Sequence, residues 1–124
     1  MPASIALVFL GGGLGSVARY LVSLAAARLF GDEFAWGTLA VNLTGCFLIG
    51  LAVGLADRAL LSREFRIFFV TGFLGGLTTF STFSLESTRY FAGGEYLKAG
   101  ANVAANVIVG LALAAAGLAA AARA

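Results

Sequence analysis

Apolar residues run in four blocks along the chain, separated by short polar gaps. The first block covers residues 3–27 and holds one charge, Arg19. The second, residues 36–56, holds none before the Asp57 that follows it. The third, residues 67–91, is uncharged through Leu85 and then carries Glu86 and Arg89. The fourth, residues 99–122, is uncharged. A helix needs roughly 20 apolar residues to cross the hydrocarbon core of a bilayer, so each block predicts one membrane-spanning helix. The gaps Arg28–Ala35, Asp57–Arg66 and Gly93–Lys98 carry most of the charge and leave no room for a domain outside the bilayer. The expected fold is all-α: a single integral membrane domain over residues 1–124, built from four transmembrane helices.

Composition agrees. Of the 124 residues, 60% are hydrophobic and 11% charged, against about 45–50% and about 25% in soluble domains. A soluble globular body is excluded, because so few charges cannot cover its surface. There is no His for acid–base or metal chemistry. Cys46 is the only cysteine, so no internal disulfide or thiolate cluster forms. Net charge is +2 with no basic run, and nucleic acid is not an expected partner. No cleavable signal peptide is expected, since the first block lacks a basic flank and runs too long. Nothing resembles a catalytic pair, and the chain is not expected to be an enzyme.

The Lys/Arg distribution normally orients a membrane protein. With four spans, the termini and the middle gap share one side, which carries Arg58, Arg63, Arg66 and Arg123. The other side carries Arg28, Arg89 and Lys98. Four against three is almost no bias. Insertion in both orientations would permit an antiparallel dimer of one gene product.

The polar residues inside the spans carry the chemistry. Gly11 and Gly15, Gly50 and Gly54, and Gly72 and Gly76 form pairs four apart that let helix backbones approach closely. Arg19 lies well inside the first span. It either snorkels to an interface beside Tyr20 or serves as a fixed positive charge in a watery vestibule that draws in anions. Thr38 and Asn42 share a face of the second helix, and Asn102 and Asn106 share a face of the fourth. The third block is the unusual one. Gly75, Gly76 and the β-branched pair Thr78–Thr79 predict a helix break over Gly75–Thr79, midway along the span. Such a break is tolerated only when buried in protein or lining a polar cavity, and its freed carbonyls can coordinate a cation. After it come the hydroxyls of Ser81, Thr82 and Ser84, interleaved with Phe80 and Phe83. Neutral hydroxyl and amide donors can replace water around a small anion. The rim of a phenyl ring is its electropositive part, and neutral donors bind without trapping.

Three segments carry a family likeness over essentially the whole chain: Gly11-Gly-Gly-Leu-Gly-Ser-Val-Ala-Arg19-Tyr20, Gly37-Thr-Leu-Ala-Val-Asn42-Leu-Thr-Gly45 and Thr71-Gly-Phe-Leu-Gly-Gly-Leu-Thr-Thr-Phe-Ser-Thr-Phe-Ser84. The chain resembles the small dual-topology fluoride channels of the Fluc (CrcB) type. The resemblance implies an antiparallel homodimer with two fluoride pores, in the plasma membrane of a prokaryote, through which fluoride leaks out passively and its toxicity is relieved. It implies Asn42 as the pore asparagine, Phe80 and Phe83 as paired pore phenylalanines, and Thr38, Ser81 and Thr82 as a hydroxyl track. Arg19 matches the arginine near the pore entrance. Gly75 and Thr78 match the positions whose carbonyls hold a structural sodium ion at the dimer interface. On the fourth helix some members carry Tyr and Ser where this chain has Asn102 and Asn106. Asn106 is counted with the pore and Asn102 is not.

The main alternative is a small four-helix multidrug transporter exchanging protons for cationic drugs. That class needs a carboxylate within the first span. Here the first acid is Asp32, in a gap, and the only acid near a span is Glu86, expected close to a helix end.

Overall fold

The computed structural model describes all of residues 1–124 and contains helices and no strands. Helix α1 runs Pro2–Phe30, with Pro2 in the first turn, where a missing N–H is harmless. It stops at Gly31, whose φ of 78° is left-handed and whose N–H closes the last turn on the Ala27 carbonyl at 3.0 Å. Helix α2 runs Trp36–Asp57. Helix α3, residues 63–77, starts at the Ser62 cap, whose hydroxyl accepts the Phe65 N–H at 3.1 Å. Within it, Arg63–Arg66 is α-helical, Ile67–Leu74 is π-helical and Gly75–Leu77 is α-helical again. Helix α4 is Phe80–Ala92. Helix α5 occupies Tyr96–Ala122, with a π-helical turn at Ala105–Val109.

Four spans long and apolar enough to cross a membrane result: α1, α2, α3 with α4, and α5. They overrun the apolar blocks by up to a turn because a helix continues through polar residues until something ends it. At 1.5 Å per residue α1 is about 43 Å long, well beyond a hydrocarbon core of about 30 Å.

The break in the third span falls where expected but is narrower. Only Thr78 (φ −86°, ψ 157°) and Thr79 (φ −152°, ψ 118°) are extended. Gly75 is helical at φ −62°, ψ −37°. Its neighbour Gly76 serves packing instead, together with Gly11 and Gly15 of α1. A Cβ on Gly11 would collide with the Phe68 carbonyl oxygen, one on Gly15 with that of Phe73, and one on Gly76 with that of Gly12. Backbone therefore lies on backbone along α1 and α3. The α2–α5 pair repeats the arrangement: Gly50 abuts the Ala114 carbonyl and Gly117 abuts that of Phe47. Val41, Leu74 and Leu77 form the buried centre, packed by Ala18, Val22, Leu48, Phe69 and Phe73. Arg58 joins the far ends of α2 and α5, donating from Nη1 to the Ala121 carbonyl at 2.6 Å. Only 18 of 124 residues are buried, so most apolar side chains face outward, as a body solvated by lipid requires. An aromatic cluster marks one end, with Phe34 at 4.8 Å from Trp36 and 5.9 Å from Tyr90 between ring centroids. Such rings favour the membrane–water interface.

Close backbone approach gives a prediction. Gly15→Ala and Gly50→Ala force methyl groups into carbonyl oxygens and should each cost about 1–3 kcal/mol, as overpacking does. Gly100→Ala, where an added Cβ meets nothing within 4 Å, should not destabilise. Thermal unfolding in detergent, read against the Gly100 control, checks this.

Candidate functional site

An extended pair of residues inside a bundle strips two consecutive turns of their ladder bonds, and those groups need other partners. Asn42, on α2, supplies them. Its Oδ1 accepts the Thr79 N–H at 2.8 Å, and its Nδ2 donates to the Thr79 carbonyl at 3.1 Å. One carboxamide thus pairs with both backbone groups of one residue. Gly45, a turn further along α2, leaves the space that the Thr78 methyl fills. The Thr79 hydroxyl then starts α4, accepting the Thr82 N–H at 3.2 Å and donating to the Thr82 hydroxyl at 3.1 Å.

The end of α3 is finished from α1. Arg19 folds inward and its Nε donates to the Gly76 carbonyl at 3.1 Å. A cation there meets the negative end of the helix dipole. The structure therefore does not extend Arg19 along α1 to an interface; it holds the charge beside the break. Gly75 has no i+4 donor, because the Thr79 N–H is turned to Asn42. Thr78 is extended, so its carbonyl belongs to neither helical ladder.

Beyond Asn42 a one-way file of amides begins. The second N–H of Asn42 Nδ2 donates to Asn106 Oδ1 at 2.9 Å. Asn106 Nδ2 donates to the Asn102 carbonyl at 2.8 Å and to Asn102 Oδ1 at 3.1 Å. Asn102, fully buried, donates to the Ser87 hydroxyl at 3.0 Å. Next to Ser87 stands Glu86, whose Oε2 accepts the Thr38 hydroxyl at 2.7 Å and whose Oε1 is buried without a partner.

Two cavities flank this file. The first, about 370 Å³, is lined by Asn42, Cys46, Gly75, Thr78, Phe80, Phe83 and Asn106 among others. The second, about 250 Å³, is lined by Ser23, Asp32, Thr38, Glu86 and Tyr90 among others, and lies toward the aromatic end. The first cavity thus gathers Asn42, Phe80, Phe83, Asn106, Gly75 and Thr78. The two rings stand 5.5 Å apart and tilted by 57°, at different depths: Phe83 is 7% exposed and Phe80 is 78% exposed. Ser81 and Thr82 do not line that cavity; they form a hydroxyl cluster with Thr79. Thr38 belongs to the second cavity.

Sequence reasoning missed Thr79, treated only as part of a break, and Ser87. Asn102, which the sequence reading leaves out of the pore, carries the amide file on from Asn106 to Ser87. Glu86 lies in the last quarter of the third span, as expected, but faces inward onto Thr38. The signal was present: Glu86 follows Thr79, Thr82 and Phe83 at helical spacing. No carboxylate lies in α1, where a multidrug exchanger would need one.

Residues 6–118 match the family model described as CrcB-like protein, Camphor Resistance (CrcB). The fluoride-specific ion channel FluC of Rhizobium etli (strain CIAT 652) is 51% identical over 114 residues, covering 91% of each chain. That of Agrobacterium fabrum is 51% identical over 117 residues, covering 94% of each chain. That of Shewanella halifaxensis is 47% identical over 104 residues, covering 84% of each chain.

The two hydrogen bonds between Asn42 and Thr79 can be tested by removing the carboxamide. Asn42→Leu keeps bulk and leaves the Thr79 N–H and carbonyl without side-chain partners, each worth about 1–3 kcal/mol when buried. The variant should lose thermal stability, and the amide of Thr79 should lose hydrogen-exchange protection while that of Leu55 keeps it. Unchanged protection at Thr79 would refute the pairing.

Proposed function

The chain belongs to the CrcB family, and on that premise we propose that it is a fluoride-specific ion channel that lets fluoride leave the cell passively. The observation that carries the reading is the first cavity, where amide, hydroxyl and phenyl groups of three spans converge on a helix break with no lysine or arginine among its lining residues. Fluoride is small and strongly hydrated, and moving it into hydrocarbon is prohibitive unless donors replace its water. Asn42 brings an amide donor, bonded to the neighbouring amide of Asn106, and Phe80 and Phe83 bring ring edges. Thr38, Ser81 and Thr82 add hydroxyls along the approach. Uncharged donors hold an anion loosely enough for it to leave again. Arg19, fixed beside the break, supplies positive potential without entering the cavity. Selectivity over chloride then rests on a narrow, rigid path.

The pore is shared between two copies in this reading. The near-even Lys/Arg split, the 78% exposure of Phe80 and the exposed flank of the break at Gly75 support an antiparallel homodimer in which each copy covers the other's open cleft. A sodium ion fits the same flank. The Gly75 and Thr78 carbonyls lie outside ordinary helical bonding and line one cavity. Hard monovalent and divalent cations take such oxygens. When bound, the ion supplies positive charge that steadies the broken backbone, so its role is structural. Export of fluoride from a cell calls for a channel in its plasma membrane, and the four apolar spans suit that location. The multidrug-transporter alternative loses its chemical basis, since α1 carries no acid. A membrane channel of this kind performs no covalent catalysis.

Efflux of fluoride from proteoliposomes, with and without a proton gradient, tests the function. Flux should be large and indifferent to the proton gradient. Phe80→Ile and Phe83→Ile retain apolar bulk and lose the ring edge, and each should reduce flux at least tenfold while the protein stays monodisperse; full flux in both would place the pathway elsewhere. Exchange of sodium for N-methylglucamine during purification should diminish assembly or flux. Undiminished assembly and flux after that exchange would remove the ion from the account.

A further inference from the structure

Every amide donor at the centre of the first cavity is already engaged. Asn42 has two side-chain N–H groups, one on the Thr79 carbonyl and one on Asn106 Oδ1. Asn106 has two, both on Asn102. An anion arriving beside Asn42 therefore finds no free amide hydrogen, and one bond must yield to admit it.

The bonds differ in what they hold. The two between Asn42 and Thr79 satisfy the broken backbone, and releasing either leaves a main-chain group unpaired at membrane depth. The bond from Asn42 to Asn106 joins two side chains across α2 and α5 and supports no backbone. Asn106 is also the more easily moved partner, because the Asn102 carbonyl it binds is served by the Ala105 N–H as well. The bond that yields is Asn42 to Asn106.

We propose that Asn106 Oδ1 is a displaceable cap on the pore donor of Asn42, and that fluoride is taken up by replacing this oxygen as the acceptor of the Asn42 N–H. This rests on the fluoride-channel reading and concerns how that site is kept when empty. The exchange swaps one acceptor for another, so the empty pore carries no bare buried donor and the occupied pore no deep well. Both conditions favour rapid passage. Asn106 is on this account a tuning residue for affinity, and a simple donor role would move affinity in the opposite direction.

Fluoride efflux from proteoliposomes, measured over a range of fluoride concentrations, decides the matter with Asn106→Ala and Asn106→Leu. Removing the cap should lower the half-saturating fluoride concentration about fivefold, the weight of one net neutral hydrogen bond, and should lower the maximal rate as release slows. A half-saturating concentration that is unchanged or raised in the folded variants overturns the cap. Should the variants fail to fold, the wild-type protein with [15N]asparagine is titrated with sodium fluoride in micelles. The side-chain NH2 signals of Asn42 and Asn106 must then shift together, and an unmoved Asn106 signal overturns the proposal. A wild-type chain that passes no fluoride defeats the channel reading itself, and the amide titration still decides the cap.

Discussion

A peptide group without a partner is intolerable in hydrocarbon, and here a single carboxamide removes that problem at the one place where the chain leaves its helix. Asn42 binds both the N–H and the carbonyl of Thr79, so the third span can be interrupted without exposing main chain to lipid. The rest of the site follows from this pairing. With Thr79 held extended, its hydroxyl starts α4 and sets the rotation that brings Phe83 inward and Phe80 outward. With the Thr79 N–H diverted, Gly75 keeps an unclaimed carbonyl on the outer flank.

The scaffold delivers this with little ordinary core. Gly11, Gly15 and Gly76 bring α1 against α3 closely enough for Arg19 to reach the Gly76 carbonyl. A longer interhelical distance would strand that guanidinium in an apolar setting, where a charge is costly. The two π-helical stretches bracket the site. One leads into the break and the other contains Asn106. Such wide turns recur at functional positions because they alter the phase at which side chains leave a helix.

Much of this was legible before any coordinates. Length and hydropathy of the blocks specify four spans, because hydrocarbon admits few alternatives to a helix. The glycine pairs reveal close-packed faces. The Thr–Thr pair after three glycines reveals the break to within a few residues. What was not legible depends on pairings across helices. Gly75 reads as the breaking residue by propensity, yet it stays helical and the break falls on Thr78 and Thr79, where Asn42 takes both backbone groups of Thr79. Thr38 reads as a free hydroxyl until Glu86, 48 positions away, is seen to accept it. Asn102 reads as interhelical glue, and only its bonds to Ser87 and Asn106 make it part of a file of amides. Spacing along one helix cannot say which side chain of another helix it will meet.

The Arg58 contact bears on the order in which the protein is made. Helix α5 leaves the ribosome after α2, and its second half, Gly110–Ala122, offers small side chains and no polar side chain of its own. It has little with which to choose a neighbour. By then α2 is already in the bilayer, with Gly50 and Gly54 forming a shallow track and Arg58 standing at its end. The Ala-rich helix lies in that track with its Ala121 carbonyl on the guanidinium. The depth at which α5 sits, and with it the height of Asn102 and Asn106 beside Asn42, is thus tied to a contact at the opposite end of the bundle.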